Sequence, residues 1–304
     1  MPRTARQKSF DSIYHVMIKS VGDTILYKED EDKDNFMKFL KRYKEIFLFK
    51  IYAYCLMDNH AHFIIDSNGA DISKFMHVIN QCYAQYYNKK YDRHGHVFAD
   101  RFKSIIVDDN AYLVTLSGYI HKNPEDIKKF HEKIQEYPFS SLGIYLGLFK
   151  DKYNILDPYF VLTQFSYDIK RARELYIKFV GKCNDPKMKE IVEFEGDGSE
   201  YRSERKILVR DFAPQKVLEF VANYAKTITP DMFHVKGKKD SKDYRALCIF
   251  LMRSLCNLSC KEICAFAGNI TASQVSHLCA YGFSLFKNNE KYKNIISDFI
   301  KSAC

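Results

Sequence analysis

Two histidines one residue apart, His60 and His62, stand in the apolar run AYCLMDNHAHFII, Ala53 to Ile65. If this run is strand, its side chains alternate between faces, so both imidazoles point one way while Asn59 and Ala61 point the other. Two imidazoles crowded onto one face of a buried sheet make a poor core. As metal ligands they make sense, because their lone pairs can converge on one ion. A satisfied core histidine is the competing reading. Further along, AYLVTLSGYIHKNPE (Ala111 to Glu125) puts Tyr112, Tyr119 and Asn123 along one helix face, with Leu113, Leu116 and Ile120 as the buried stripe. A tyrosine one turn before an amide offers a nucleophilic phenol beside a carbonyl ligand. Tyr and Asn at a helix end are also ordinary, and Asn before Pro is a natural stop. His94 and His96 repeat the spacing of the first pair, but YDRHGHVF is polar and glycine-containing and reads as exposed loop.

The elements that must position these groups follow from periodicity. IYHVMIK, Ile13 to Lys19, reads as strand, and Glu31 to Lys44 as a helix whose acidic first turn suits the helix dipole. Ile46 to Leu56 is β-rich, MDN a turn, and His60 to Asp66 a second short strand. A long helix over ADISKFMHVINQCYAQYYNKKY and a strand over Val97 to Val107 come next. Asp109 to Asn123 is helical, with Asp108 or Asp109 as cap and Pro124 past its end. The order β-α-β-β-α-β-α predicts an α+β fold: a ferredoxin-like antiparallel sheet with packed helices. Shorter helical pieces are expected in YPFSSLGIYLG and from Asp157 to Gly181, then a polar linker from Lys182 to Ser203. The last third reads as all helical. Ser259 with Glu262, and Thr271 with Gln274, are spaced as capping boxes, so two helices joined by AGNI form a helix-turn-helix pattern. The division is therefore 1–150, 151–205 and 206–304.

With 46% apolar residues the 304-residue chain has enough for a substantial core, and no apolar run approaches the roughly 20 residues that span a bilayer. The N-terminus lacks the apolar core of a signal peptide, which points to a cytoplasmic protein without a membrane partner. Nine cysteines without a regular framework fit a reducing compartment. Cys256, Cys260, Cys264 and Cys279 invite a zinc reading, but no CxxC pair exists, and buried helical cysteines account for them better. The net charge of +9 favours a polyanionic partner, nucleic acid or an anionic membrane surface, and some of the 22 tyrosines and 24 phenylalanines could stack on bases.

Taken together, residues 10 to about 180 resemble the REP-associated tyrosine transposases, a branch of the IS200-like single-strand transposases with an HUH metal motif. The resemblance is carried by YHV (Tyr14 to Val16), CLMDNHAHFII (Cys55 to Ile65), GHVFADRFKS (Gly95 to Ser104), YIHKNP (Tyr119 to Pro124) and YPFSSLGIY (Tyr137 to Tyr145), in that order. Asp58 stands where such proteins usually have proline, and NPEDIK where the family often has NPVRAG. The resemblance implies an HUH nuclease fold with His60, His62 and Asn123 holding Mg²⁺ or Mn²⁺. It also implies Tyr119 as the nucleophile that forms a 5′-phosphotyrosine, and single-stranded or hairpin DNA, in the form of repeated palindromes, as substrate. Some related enzymes are dimers, so a homodimer is one expected form.

Arg101 and Lys103 alternate onto one strand face as expected backbone contacts, with Arg3, Arg6 and Lys8 as a further basic group. The C-terminal stretch LSCKEICAFAGNITASQVSHLCAYG resembles the helix-turn-helix of the duplex-binding domain of the bacterial replication initiator. Ser273, Gln274 and His277 then occupy the front of a recognition helix and would reach base edges of duplex DNA. The leading expectation is a metal-dependent strand transferase. A domesticated regulator that binds hairpins without cutting them is the alternative, and a rolling-circle replication enzyme or relaxase is a third reading.

Overall fold

A computed structural model of the chain describes residues 12–22, 24–107, 109–184, 210–225, 229–234 and 239–303. It divides into two compact units, Met1–Glu45 with Phe49–Ile207, and Ile46–Leu48 with Leu208–Cys304. The first is built on a four-stranded antiparallel sheet in the order β2-β3-β1-β4, with β1 Ile13–Lys19, β2 Lys50–Leu56, β3 His60–Asp66 and β4 Lys103–Ile106. Helix α1 (Asp30–Phe47) joins β1 to β2, α2 (Ile72–Lys90) joins β3 to β4, and α3 (Asn110–Lys122) follows β4. The ferredoxin-like order expected from periodicity is the one found.

One face of the sheet is aromatic. Phe63 of β3 stacks on Phe36 of α1, and Tyr83 of α2 packs edge-on against the same Phe36 ring. A buried carboxylate locks the helices together. Asp32, in the first turn of α1, accepts hydrogen bonds from Tyr86, Tyr91 and Lys90 at the far end of α2. Burial works to raise its pKa, but these bonds and the Glu29 N–H hold it below the usual carboxylate range.

The edge of β2 is covered, not left open for pairing. Leu56 N–H donates to Phe139 O, Ser141 N–H to Tyr54 O and Asp157 N–H to Ile51 O. The Tyr145 hydroxyl, from the short helix α4 (Leu142–Tyr145), donates to Tyr52 O. At the other end of the sheet face opposite Phe63, Tyr52 donates to Asp66 and is stacked by Phe160 of α5 (Tyr159–Leu162). Helix α6 (Ile169–Val180) packs on α3.

Two boundaries differ from the periodicity reading. Helix α1 runs on through Ile46 and Phe47, and Leu48 at φ 54° ends it, so β2 begins only at Lys50. An apolar run at a helix end and one at a strand start look alike in sequence. Likewise β4 is confined to Lys103–Ile106, because the chain from Val97 to Phe102 makes only a single bridge, Ser20 to Phe98.

The second unit is helical, with α7 (Pro214–Ala225), α8 (Lys239–Leu255), α9 (Cys260–Ala267), α10 (Ala272–Asn288) and α11 (Ile295–Ala303) among the described residues. Both expected capping boxes are formed, at Ser259 with Glu262 and at Thr271 with Gln274. Gly268, at φ 71°, ends α9 in the left-handed conformation that glycine adopts without penalty. Helix α10 is longer than its motif suggests and lies along α8, so its C-terminal half is a packing helix.

Candidate active site

Strand β3 presents His60, His62, Ile64 and Asp66 on the face opposite Phe63. The rings of His60 and His62 are 5.0 Å apart between centroids and nearly perpendicular, at 78°. His62 is fully buried and sits mid-sheet, paired with Met17 of β1 and Cys55 of β2. Both Nε2 atoms are shielded from water. His60 Nδ1–H donates to Asn59 Oδ1 at 2.7 Å, and His62 Nδ1 lies 3.1 Å from His15 Nε2.

His15 faces Ile64 across the β1–β3 ladder, so it reaches His62 as a diagonal neighbour on the same face. The two rings are 5.3 Å apart and tilted by only 23°. Burial pushes the His15 imidazole well below its ordinary pKa, and the neighbouring His62 adds to the effect, so His15 stays neutral. Sequence reasoning assigned no role to His15 or Asn59. Alternation would turn Asn59 to the opposite face, but β3 begins only at His60, so Asn59 in the turn bonds to the His60 ring; His15 is found only once the strand register is known.

The turn before β3 is tied down from α1. The Lys33 ammonium, its side chain 7% exposed, pairs with Asp58 at 2.8 Å, and Tyr27 N–H donates to Asp58 O. The carboxylate at this position thus holds the MDN turn in place of a proline's rigidity.

Helix α3 carries the other two candidates and packs against β2 and β3. Asp109 caps it, accepting from Tyr112 N–H. Leu113, Leu116 and Ile120 are fully buried as the stripe required. Tyr119 is 9% exposed. Asn123 ends the helix, its Nδ2 donating to the carbonyls of Tyr119 and Ile120 at 3.2 Å each. That use of the amide nitrogen leaves Oδ1 as the end available to a ligand.

His121 is an anchor between them. Its Nδ1 is 2.6 Å from the Tyr176 hydroxyl of α6 and its Nε2 2.6 Å from Ser141 Oγ, which also bonds to the Tyr54 backbone on β2. Burial lowers its pKa to about 3.

Lys103 pairs with Met17, and Met17 with His62, so Lys103 stands on the histidine face of β4 and is exposed. Arg101 is exposed as well but precedes the strand in a bend, so the alternation that was to align it with Lys103 does not apply. Arg3, Arg6 and Lys8 lie outside the described residues, as does the boundary expected at 205. In the second unit Ser273, Gln274 and His277 are exposed in the first turns of α10. The Gln274 carbonyl accepts from Thr271 N–H, so only its amide nitrogen is left to reach outward.

Among the described residues no group of three or more His, Cys, Asp or Glu side chains forms a metal site. His60 and His62 set two imidazoles on one face of β3 with their Nε2 atoms shielded from water, and Asn123 ends α3 with its amide nitrogen used in capping; imidazole and amide oxygen are donor types that Mg²⁺ and Mn²⁺ accept. Cys256 and Cys279 are buried, and Cys260 and Cys264 half-buried. No described helix is long and apolar enough to cross a membrane.

No curated protein matches the chain. A solved structure of a REP-associated tyrosine transposase bound to a REP hairpin is similar to it at 15% identity and a TM-score of 0.41, over 49% of this chain and 89% of that one. Residues 8–123, the stretch that runs from the start of the sheet through the histidine pair to Tyr119 and Asn123, match the model of the family described as "Transposase IS200 like".

Proposed function

We propose that the chain is a metal-dependent endonuclease and strand transferase acting on single-stranded or hairpin DNA through a covalent 5′-phosphotyrosine. The observation that carries this reading is the histidine pair on β3, inside a stretch matched by the IS200-like transposases and backed by the helix that bears Tyr119. His60, His62 and Asn123 would hold Mg²⁺ or Mn²⁺, which when bound supplies a Lewis acid for a non-bridging phosphate oxygen. The Tyr119 phenol oxygen attacks the phosphorus as its proton leaves, the P–O3′ bond breaks, and the departing 3′-oxygen takes up a proton. The bond energy stays in the phosphotyrosine, so a second 3′-OH can reverse the step and join strands without ATP. The phenol of a tyrosine ionises near pH 10, so it must lose its proton as it attacks. His121 is not the base, because both its nitrogens are engaged away from the phenol. Lys103 on the histidine face, with Arg101 exposed in the bend before the strand, supports contacts to the phosphate backbone.

Residues 1–150 would form the catalytic domain, 151–205 a helical extension and linker, and 206–304 a helix-turn-helix domain that adds a grip on duplex DNA through Ser273, Gln274 and His277. Repeated palindromes are the expected substrates, and the protein would work in the cytoplasm, as a monomer or a homodimer. The test is direct. Labelled hairpin-containing single strands are incubated with the protein and Mn²⁺ and then denatured. An adduct that survives in the wild type and is missing from Tyr119→Phe supports the transferase. Tight binding with no adduct across varied strands assigns the chain instead as a non-cleaving hairpin-binding regulator.

A further inference from the structure

A neutral imidazole has one nitrogen that donates and one that accepts, so the partner of Nδ1 decides what Nε2 can do. On β3 both histidines have Nδ1 engaged by a side chain from within the same unit, His60 by Asn59 and His62 by His15. We propose that Asn59 and His15 are positioning residues that hold His60 and His62 as their Nδ1–H tautomers, so that both Nε2 lone pairs are presented to one divalent cation. The inference rests on the histidine-pair reading above and extends it to residues that reading leaves without a task.

For His60 the chemistry allows one arrangement. An amide oxygen only accepts, so at 2.7 Å the proton between the two groups belongs to His60 Nδ1. For His62 the partner is another ring nitrogen, and the proton can sit on either side of the 3.1 Å contact. If it sat on His15, His62 would carry its own proton on Nε2 and could not ligate. With the proton on His62 Nδ1, His15 Nε2 accepts and Nε2 of His62 is left as a lone pair. In this second arrangement, the one proposed, His15 keeps its own proton on its buried Nδ1. It is fully buried on the central strand, between β3 and β4, and its ring lies nearly parallel to that of His62. Metal-bound histidines generally give their second nitrogen to such a partner, whose loss weakens binding about 10–100-fold.

The experiment measures Mn²⁺ affinity of the full chain without DNA, together with ¹⁵N NMR of the metal-free imidazoles. Asn59→Leu and His15→Phe should each weaken Mn²⁺ binding about 10–100-fold. Asn59→Asp and His15→Gln keep an acceptor and should bind Mn²⁺ at close to wild-type strength or tighter. In the wild type both rings should show the proton on Nδ1, and His15→Phe should shift the proton of His62 toward Nε2. If His60→Ala loses Mn²⁺ while His15→Phe and Asn59→Leu keep it, the positioning roles fall and the histidine-pair site stands. Equal losses in His15→Phe and His15→Gln would make His15 a packing residue and overturn its role. Undiminished Mn²⁺ binding by His60→Ala would overturn the site reading and this inference with it.

Discussion

At the scale of single residues, the candidate site is a set of ordinary side chains made unusual by what holds them. His60 is half-exposed and His62 fully buried, yet their rings meet on one face. His60→Ala should abolish Mn²⁺-dependent cleavage while the variant still folds, at a cost of about 0.5–3 kcal/mol in an unfolding melt. Retained cleavage in that variant would show that the pair does not hold the ion. Asn123 caps α3 with its amide nitrogen, and in the proposed site its oxygen would be a ligand. Asn123→Asp should keep an oxygen ligand but lose the capping donor. It should therefore cost about 0.5–1.5 kcal/mol in a denaturant melt, the usual net worth of a hydrogen bond, and spare more cleavage than Asn123→Leu. Greater loss of cleavage in Asn123→Asp would separate Asn123 from the metal.

At the scale of elements, what matters is how α3 is fixed to the sheet. The His121 bonds to Tyr176 and Ser141 tie α3 to α6 and to the edge of β2. In the unfolded chain an imidazole takes its proton near pH 6.5, but His121 in the fold resists it down to about 3. Between those values the unfolded state binds the extra proton. This contribution to stability is therefore full above about pH 6.5 and lost progressively as pH falls toward 3. Urea midpoints measured at neutral and acid pH should fall more steeply for the wild type than for His121→Gln, which does not titrate; parallel declines would remove His121 from the acid response. The second unit has its own tight joint. A Cβ on Gly282 of α10 would come within 2.2 Å of the Ala246 carbonyl oxygen on α8, a backbone atom that cannot swing aside. Gly282→Ala should cost about 1–3 kcal/mol in chemical denaturation, the usual range for overpacking, and a neutral result would mean that the two helices can part.

At the scale of the whole molecule, charge is the property that the fold does not set. The chain carries +9, and eleven Lys or Arg face six Asp or Glu between Tyr201 and Arg245. Binding to an unpaired strand should therefore weaken steeply with salt. Each phosphate contact contributes about 0.7 to the slope of log K against log salt on single strands. Removing Lys103 should reduce that slope by about 0.7, and an unchanged slope would take Lys103 off the DNA path.

The sequence by itself determined the element order, the helix caps at Ser259 and Thr271, an aspartate cap for α3 at 108 or 109 that the structure places at Asp109, and the pairing of His60 with His62 on one face. These depend on neighbours within a few residues, where alternation and capping chemistry act locally. Tertiary structure decided what lies far apart in the chain: that Leu48 ends α1 before β2, that β4 shrinks to Lys103–Ile106, and that His121 anchors α3 to Ser141 and Tyr176. It also decided that His15 meets His62. That contact is set by the register between β1 and β3, which sliding by one residue would turn to the opposite face of the sheet, and no local pattern encodes the register.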